Sequence, residues 1–464
     1  MNKIQSILTI IGMTASLLLA IPATAQHSAS GYYTDGFLYR HEMNPAIGNE
    51  QNYVAMPAIS NMNVSLTGNL GIDKVLFNRN GKTTTFLNPD VSTSEFLAGI
   101  NDQNKLAADM KLQVLGFGFK GFKGYNHVGI NVRTTAGVVI PGTLLRLAKE
   151  GVENKTYDIS DFQAHAEAYT EISLGHSHRI NNHLDIGATA KILVGIGHAD
   201  AEFEKAQLTL EEDTWRAVTN ARLQTSFKGL TYKETTTMRG PEGSQTPHTY
   251  VNDMDFDEAG ANGIGAAFDI GALYRPNDTW SFSAAVIDLG FISWDNNLVA
   301  STNGEQSFTT DTYLFVLDQE ADNKFEREMD RLEEGLAALY ELHDNGDQGH
   351  RTTRLAPTVN LGAEYTLPIY RQLSFGLLST IHSNGDLSWF DLRLSANWKL
   401  KKLLSMGVNV ATGTYGTGIG WIFNFHPKGF NFFLASDHSL GKLTKQGVPL
   451  SCNGHINFGV NFPF

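Results

Sequence analysis

Four short stretches carry residue types that do chemistry in other proteins. The first, GFGFKG at 116–121, has the glycine spacing of a dinucleotide-binding loop. Such a loop must open a helix whose N-terminus meets the pyrophosphate. Here Phe117 and Phe119 alternate with glycines, which is typical of a β-strand, and a turn follows. We therefore expect no nucleotide site and no cofactor at this stretch.

The second stretch contains three histidines, His176, His178 and His183, close together in the sequence. A zinc site needs three or four ligands that converge tetrahedrally. No cysteine and no clear carboxylate joins this group. The pattern favours a polar turn, with metal binding as the alternative.

The third stretch is a run of acidic residues, Asp253, Asp255, Asp257 and Glu258, which offers the oxygen ligands that calcium prefers. An EF-hand loop would require glycine where Glu258 stands and glutamate where Ile264 stands. We predict a solvated loop. The alternative is a divalent-cation site that bridges lipopolysaccharide phosphates.

The fourth stretch, His382, Ser383 and Asn384, contains the residue types of a hydrolase relay. Neighbours on an extended chain point in opposite directions, so these three cannot form one relay unaided. No other pair of nucleophile and base is identifiable. We predict that the protein is not an enzyme and that it has no catalytic residue, no cofactor and no resident metal.

The composition of the 464-residue chain excludes several classes of protein. The chain is 42% hydrophobic and 18% charged, with a mean hydropathy of −0.20. This average excludes a bundle of transmembrane helices but admits a membrane β-barrel, whose strands alternate. The net charge is −13 and the basic residues are scattered, which argues against a nucleic-acid partner. The single cysteine, Cys452, excludes a disulfide framework.

Residues 1–25 have the pattern of a secretory signal peptide. Lys3 supplies the positive end, residues 7–21 are apolar, and small residues form a cleavage site. We predict cleavage between Ala25 and Gln26, with an uncleaved anchor as the alternative. The mature protein is then exported, and no later apolar run is long enough for a transmembrane helix.

The chain ends in strict alternation of apolar residues with asparagine, glycine and proline. Phe458, Val460, Phe462 and Phe464 share one face with Ile456. A terminal strand of this kind pairs with the first strand and closes a barrel. We expect its apolar face to meet lipid and its terminal aromatic residue to be read by the barrel-assembly machinery. The alternative is a strand that packs in a soluble core.

The same alternation predicts fourteen strands along the chain. They lie at 59–71, 110–121, 126–139, 162–176, 183–203, 262–274, 280–294, 356–368, 373–382, 388–399, 403–413, 417–426, 430–437 and 453–464. All the long connections fall on alternate positions, as in an up-and-down barrel with short turns at one end. We predict an all-β, transmembrane, antiparallel barrel over 59–464, with a soluble all-β protein as the alternative.

Three segments outside these strands have their own character. Residues 92–110 and 319–343 have helix-like sequence, and Ser92 with Glu95 forms a capping box. We expect both to lie in long connections at the outer mouth of the barrel. Residues 26–58 are too irregular for a strand, so we predict a plug in the lumen or a strap across its periplasmic end.

Charged residues of both signs are predicted to face the lumen. Mixed signs favour pairs across the lumen over an ion-selective ring, which would carry one sign. These residues are Arg133, Lys191, Glu364, Asp391, Arg393 and Lys399.

Several stretches resemble a known group of barrels. RHEMNPAIGN at 40–49 is similar to the Asn-Pro-Ala segment of the long-chain fatty-acid transporter superfamily and its Bacteroidota relatives. The stretches 263–294, 430–441 and 92–100, and the strand that begins at Met110, resemble a group of uncharacterised Bacteroidota outer-membrane proteins. The resemblance spans essentially the mature chain.

This resemblance implies a fourteen-stranded barrel with an N-terminal segment inside, and it implies that Asn44, Pro45 and Ala46 belong to a plug. In the fatty-acid transporters a hydrophobic ligand leaves sideways through a kinked strand. Pro141-Gly142 is a candidate for such a kink, although a loop boundary is the preferred interpretation. Other relatives act as scaffold or cargo-handling proteins in secretion machinery.

Two functions follow as expectations. The first is a barrel in the outer membrane of a Gram-negative bacterium, in contact with lipid and lipopolysaccharide, that passes a small hydrophobic molecule. The second is a scaffold or secretion-associated barrel that presents surface proteins, and a lipid-modifying barrel enzyme is a third class. An apolar pocket between plug and wall would favour transport, whereas a lumen filled with paired side chains would favour the scaffold.

Overall fold

The computed structural model describes residues 28–79, 82–150, 154–211, 214–239, 245–309, 339–400, 403–438 and 453–464. The predicted signal peptide with its cleavage site Ala25-Gln26, and Cys452, lie outside this part of the chain. So does most of the predicted helix at 319–343, whose last residue begins a strand instead.

The described residues form twenty-five strands and three α-helices. The first twelve strands are β1 (Tyr53–Ala55), β2 (Met62–Gly68), β3 (Leu76–Arg79), β4 (Lys82–Thr85), β5 (Gln103–Gly121), β6 (Gly124–Pro141), β7 (Thr156–Asp158), β8 (Gln163–Arg179), β9 (Leu184–Leu210), β10 (Trp215–Phe227), β11 (Leu230–Arg239) and β12 (Thr246–Phe256). The helices are α1 (Ile72–Val75), α2 (Thr93–Leu97) and α3 (Gly142–Glu150).

The second half of the chain contributes the remaining strands and one of three 3-10 helices. These strands are β13 (Gly263–Tyr274), β14 (Trp280–Trp294), β15 (Leu298–Ser301), β16 (Gln306–Thr309), β17 (His343–Asp347), β18 (Arg351–Arg354), β19 (Thr358–Thr366), β20 (Leu373–His382), β21 (Trp389–Leu400), β22 (Leu404–Gly413), β23 (Gly416–Phe425), β24 (Asn431–Ser436) and β25 (Gly454–Pro463). The 3-10 helices are Ala29–Gly31, Arg40–Glu42 and Gly385–Leu387.

Fourteen of these strands form the closed wall of an antiparallel barrel. Each pairs with its neighbours in chain order, and β25 returns to pair with β2, where Phe458 lies opposite Met62. The predicted strand number and up-and-down topology are therefore confirmed. The wall strands are β2, β5, β6, β8, β9, β13, β14, β19, β20, β21, β22, β23, β24 and β25.

The wall is apolar outside and polar inside. In β21, Leu392 and Leu394 are exposed, whereas the alternate residues Asp391, Arg393 and Ser395 are buried. A protein dissolved in water places these two classes of side chain the other way round. The outward face of this barrel therefore suits a hydrocarbon medium, and the inward face forms a polar lumen.

The two ends of the barrel differ in their connections. One end, here called the turn end, has short connections at 122–123, 180–183, 275–279, 367–372, 401–403 and 426–430. The opposite loop end carries 69–102, 142–162, 211–262, 295–357 and 437–453, with only two short links. The start of β1 and the end of β25 both lie at the turn end, since Tyr53 pairs with Pro463.

The long connections contain strands that the sequence pattern did not predict. β5 begins at Gln103 instead of residue 110, and β9 runs to Leu210 instead of residue 203. Beyond the wall, β10 pairs with the loop-end half of β9 and also with β15 and β16. β11 and β12 form a separate hairpin. The acidic run at 253–258 was predicted as a loop, but its first residues lie in β12.

The remaining local predictions have mixed outcomes. The Ser92 hydroxyl accepts a hydrogen bond from the Glu95 amide at 3.2 Å and caps α2, as the capping box predicts. The helix ends at Leu97, so a helix-like segment reaching residue 110 was wrong, because β5 has already begun. β6 ends at Pro141, which is a strand boundary. Among the described residues, no helix is both long and apolar enough to cross a bilayer.

The first wall strand is interrupted. β1 and β2 pair with the same two strands, but residues 56–61 between them leave the ladder, and Ala58 has a φ of 63°. Hydrogen bonds close the interruption, including one from the Val460 amide to the Ile59 carbonyl at 2.9 Å. A Cβ on Gly459 would lie 1.8 Å from the Ser60 carbonyl oxygen, so only glycine fits there.

Candidate functional site

The N-terminal segment, residues 28–52, lies inside the barrel. Its start is held by Asp437, whose carboxylate accepts hydrogen bonds from the amides of Ala29 at 2.8 Å and Ser30 at 2.6 Å. Further along, the Asn360 side chain donates to the Met43 carbonyl at 3.0 Å. Because these partners come from separate wall strands and their ends, the segment is fastened on more than one side.

The Asn44-Pro45-Ala46 motif forms a turn against the wall. The Asn44 side-chain oxygen accepts from the Ala46 amide at 3.0 Å, and its amide group donates to the Ala272 carbonyl at 3.2 Å. Two paired wall glycines, Gly187 and Gly271, face this turn. A Cβ at either position would lie 2.1 Å from an oxygen of the turn. The wall therefore lacks side chains where the turn packs.

Aromatic rings of the segment fill the middle of the lumen. Phe37 packs edge-on against Phe433 with ring centroids 4.9 Å apart, and Tyr39 lies 5.9 Å from Tyr53. The Tyr33 hydroxyl donates to the Leu377 carbonyl at 2.7 Å. These rings form one buried apolar cluster with inward-facing wall residues. Aromatic pairs of this kind add stability beyond their buried area.

Paired charges form a second layer of the lumen. Arg133 lies 3.0 Å from Glu171 and 2.9 Å from Asp288, and Lys191 lies 2.8 Å from Asp269 and 2.6 Å from Asp288. Asp288 has a φ of 62° at a bulge between β13 and β14. The bulge directs this carboxylate between the two cations. The predicted pairing of mixed charges occurs here.

The predicted lumen-facing charges all line cavities of the interior. Arg133, Asp391 and Arg393 line a loop-end cavity, and Lys191 lines a small central one. Glu364 and Lys399 line a turn-end cavity, where Lys399 also pairs with Asp35 of the N-terminal segment.

His41 lies in the segment against the wall. Its Nδ1 is 2.9 Å from the Leu38 carbonyl, and its ring centroid is 4.0 Å from that of His127. The neighbouring Glu42 forms an ion pair with Lys111 at 2.6 Å. Burial lowers the pKa of His41 to about 4, because the charged ring would lose its hydration. The ring is therefore neutral at pH 7.

The N-terminal segment separates two cavities. The loop-end cavity has a volume of about 100 Å³ and touches the segment at Ala29 and Met43. The turn-end cavity has a volume of about 980 Å³ and touches it from Tyr33 to Glu50. The segment thus lies across the lumen between the two ends of the barrel.

The other predicted site residues lie in β25 and at the chain end. Phe458, Val460, Phe462 and Phe464 alternate with the buried residues Asn457, Gly459 and Asn461, and Phe464 is the most exposed of the four. Their recognition by the assembly machinery stays a prediction. His176 and His178 have ring centroids 5.8 Å apart near the turn end of β8.

Residues 45–437 match the sequence profile of DUF5723, a family of unknown function. The chain belongs to this family. Comparison with curated protein sequences gives no match.

Solved structures that resemble this DUF5723 protein are barrels of low sequence identity. The ΔS2S3 mutant of TodX, a monoaromatic hydrocarbon channel, has 9% identity and a TM-score of 0.44, with 95% of this chain and 97% of that chain covered. The Pseudomonas putida toluene transporter TodX has 7% identity and a TM-score of 0.41, with 96% and 98% covered. A Pseudomonas aeruginosa FadL homologue has 10% identity and a TM-score of 0.34, with 96% of each chain covered.

Sequence reasoning missed a cluster at the loop end of β8 and β9. His165, His198 and Asp200 bring ligand atoms within 4.8 Å of one another. The signal was present as two similar tripeptides, His-Ala-Glu at 165–167 and His-Ala-Asp at 198–200, on neighbouring predicted strands. Strand register decides whether such tripeptides lie side by side, and the register of two strands cannot be read from the sequence alone.

Proposed function

We propose that this protein is an outer-membrane barrel of a Gram-negative bacterium that passes a small molecule when its N-terminal segment moves. The observation that carries this proposal is the position of the segment between the two cavities of the lumen. The turn end, with both ends of the wall, would face the periplasm, and the long connections would face outward.

The outer surface of the wall supports the membrane part of this proposal. Large apolar side chains are exposed along the strands, and aromatic residues collect near the turn end, as in the interfacial girdle of a membrane barrel. Transfer of each square ångström of apolar surface out of water contributes about 25 cal/mol, so these side chains strongly favour a bilayer. The girdle residues are Tyr274, Trp280, Tyr370, Trp398 and Phe425.

The lining of the loop-end cavity supports a ligand with two kinds of surface. Leu378 and Trp389 supply apolar contacts, whereas His382, Asp391 and Arg393 supply polar ones. Asp391 and Arg393 pair at 2.8 Å, and His382 Nδ1 lies 3.0 Å from the Thr358 hydroxyl. Arg393 Nε has no partner among the described residues, and a purely hydrocarbon ligand would leave this buried donor unsatisfied. We therefore narrow the expected hydrophobic molecule to a small amphipathic one, with an apolar body and a polar or charged group.

A reversible crosslink can test whether the segment must move. A Cβ at Gly407 of the wall would lie 3.3 Å from the Thr34 hydroxyl of the segment. A disulfide places Cβ about 3 Å from the partner sulfur, so Thr34→Cys with Gly407→Cys fits this geometry. Cys452 is replaced by serine in the same protein to leave one thiol pair.

The measurement is the uptake of a medium-chain alkyl sulfonate, which is permanently charged and crosses a bare bilayer slowly, by liposomes that contain the protein, in excess of the uptake by protein-free liposomes. We expect the oxidised pair to abolish uptake and a reductant to restore it. Thr34→Cys alone, treated with the same oxidant and reductant, is the control and should behave like the parent. Equal uptake by the oxidised and reduced forms would show that the segment does not gate a path.

A second candidate function, a scaffold at the cell surface, is favoured by the strands beyond the wall. β9 has 27 residues, whereas a membrane-spanning strand needs about 9–11. The hairpin β11–β12 packs on β10, which pairs with this extension, through Tyr232, whose hydroxyl is 2.8 Å from the Thr225 hydroxyl. Deletion of 230–256 should leave liposome uptake unchanged under the transport proposal. Under the scaffold proposal the deletion should release from intact cells a surface protein that the barrel holds there.

A further inference from the structure

We propose that His165, His198 and Asp200 bind one divalent transition-metal ion of the zinc class. The three residues lie on the loop-end halves of β8 and β9, away from the N-terminal segment. Their ligand atoms all lie within 4.8 Å of one another. Two imidazoles and a carboxylate form a ligand set that zinc accepts, with a water in the fourth position.

Strand pairing brings the residues together. His165 lies directly opposite Asp200, and Glu167 lies directly opposite His198. Because side chains two apart on a strand share a face, all four side chains project from the same side of the sheet. Glu167 is buried on the same face, but its carboxylate lies outside the group of ligand atoms that are within 4.8 Å of one another, so the fourth position is left to the water.

The distances bracket those of a tetrahedral site. His165 Nδ1 lies 2.7 Å from one carboxylate oxygen of Asp200, and His198 Nε2 lies 3.8 Å from the other. Bonds of about 2.0–2.1 Å around a tetrahedral ion place neighbouring ligand atoms about 3.3 Å apart. The imidazole nitrogens lie within 4.8 Å of each other, so changes of roughly 0.5–1.5 Å in these separations would form the site, with the ion replacing the proton shared by His165 and Asp200.

His198 is buried and is held in one orientation. Its side chain is 1% exposed, and its Nδ1 has no hydrogen-bond partner within the described part of the chain. The ring packs 5.3 Å from that of Trp294, which fixes its orientation. Coordination of the ion through Nε2 would make Nδ1 the N–H of the ring, and this donor would then need an acceptor such as a buried water.

Arg351 is the feature that competes with a metal. Its guanidinium donates to the Asp200 oxygen that faces His198. Its other terminal nitrogen, Nη1, has no partner among the described residues. The guanidinium of Arg351 is thus bonded through only one of its two terminal nitrogens. When a dication binds, it can move away from Asp200, or it can keep its bond to a carboxylate lone pair that the ion does not use.

The test is zinc binding by the full-length protein purified in detergent and stripped with a chelator. Calorimetric titration with Zn²⁺ should show one site per chain, and Co²⁺ should give the visible absorption of a tetrahedral complex. His198→Ala and His165→Ala should each weaken binding by tenfold or more. His176→Ala is the matched control, because His176 and His178 also form a pair of neighbouring rings, and it should bind like the parent.

Arg351→Gln separates a metal site from a structural ion-pair network. Removal of a competing cation should tighten zinc binding several-fold, and the β-sheet circular dichroism of every variant confirms that the barrel is folded. Absence of stoichiometric zinc binding would overturn the proposal. So would binding that His198→Ala leaves unchanged, or a loss of binding in Arg351→Gln as large as in His198→Ala.

Discussion

At the scale of single residues, the lumen holds the Asn44-Pro45 turn by omitting side chains opposite it. Gly187 and Gly271 pair across β9 and β13 and face the turn with hydrogen atoms only. Both have ordinary φ values, so the space they leave, and not their flexibility, is what the turn requires. Substitution of either glycine is therefore the most direct single-residue test of how the lumen holds the segment.

Replacement of Gly271 by alanine should loosen the segment. The new Cβ would lie 2.1 Å from the Asn44 side-chain oxygen, and overpacking of this kind costs about 1–3 kcal/mol in the free energy of unfolding. We expect faster protease cleavage within residues 28–52 of the purified protein. Gly121→Ala is the control, because its nearest neighbour would be 3.3 Å away on the Phe119 ring. Equal cleavage of both variants would contradict this account.

Among the paired charges of the lumen, Lys191 should contribute more to the free energy of unfolding than Gly271 does. Its ammonium group touches Asp269 and Asp288, so Lys191→Met would leave the buried Asp269 without its cation and Asp288 with Arg133 alone. Breaking a buried pair on one side costs about 3–5 kcal/mol in the free energy of unfolding. Unfolding by urea in detergent measures this cost. Lys228→Met, which removes the exposed pair with Glu258, should cost about 0–1 kcal/mol.

At the scale of elements, the N-terminal segment should respond to acid through His41. Its folded pKa of about 4 lies below the ordinary value of 6.5, so only the released segment takes up a proton between these values. The contribution of neutral His41 to holding the segment in the lumen is complete above pH 6.5 and is lost as the pH falls toward 4. At pH 4 the free energy that holds the segment in the lumen should be smaller by about 3 kcal/mol.

Hydrogen exchange over residues 28–52 at pH 7 and pH 5, corrected for intrinsic rates, measures this response. We expect protection to fall at pH 5 in the parent. His41→Asn keeps a donor for the Leu38 carbonyl but cannot be protonated, so its protection should change less. His127, whose ring faces His41, is present in both proteins, so its own titration adds a background loss of protection to each. The same loss of protection in both proteins would rule out His41 as the sensor.

At the scale of the whole molecule, the asymmetry of the two ends predicts an orientation in the membrane. Met238 in the β11–β12 hairpin is 56% exposed, and Ile369 in a turn-end connection is 91% exposed. With Cys452 replaced by serine, Met238→Cys should react with a membrane-impermeant maleimide on intact cells. Ile369→Cys, its matched control, should react only after the outer membrane is permeabilised. Reaction of Ile369→Cys on intact cells would reverse the orientation.

The sequence by itself determined the wall. Alternation of apolar and polar residues is a local property of each strand, so it predicted fourteen strands and their inverted faces. The alternation of short and long connections likewise predicted two unlike ends. The resemblance at Asn44-Pro45-Ala46 marked the segment that lies in the lumen, but the sequence held no sign of the glycine pair that faces it.

Only the tertiary structure decided which residues meet. The left-handed backbone of Asp288, the pairing of His165 with Asp200, and the strands beyond the wall all depend on register between segments far apart in the chain. Register is set by contacts that form together on folding, and a shift of one residue would turn each of these side chains to the opposite face. For this reason the wall and the mixed charges of its lumen could be predicted from the sequence, whereas the partners of those charges and the candidate metal cluster could not.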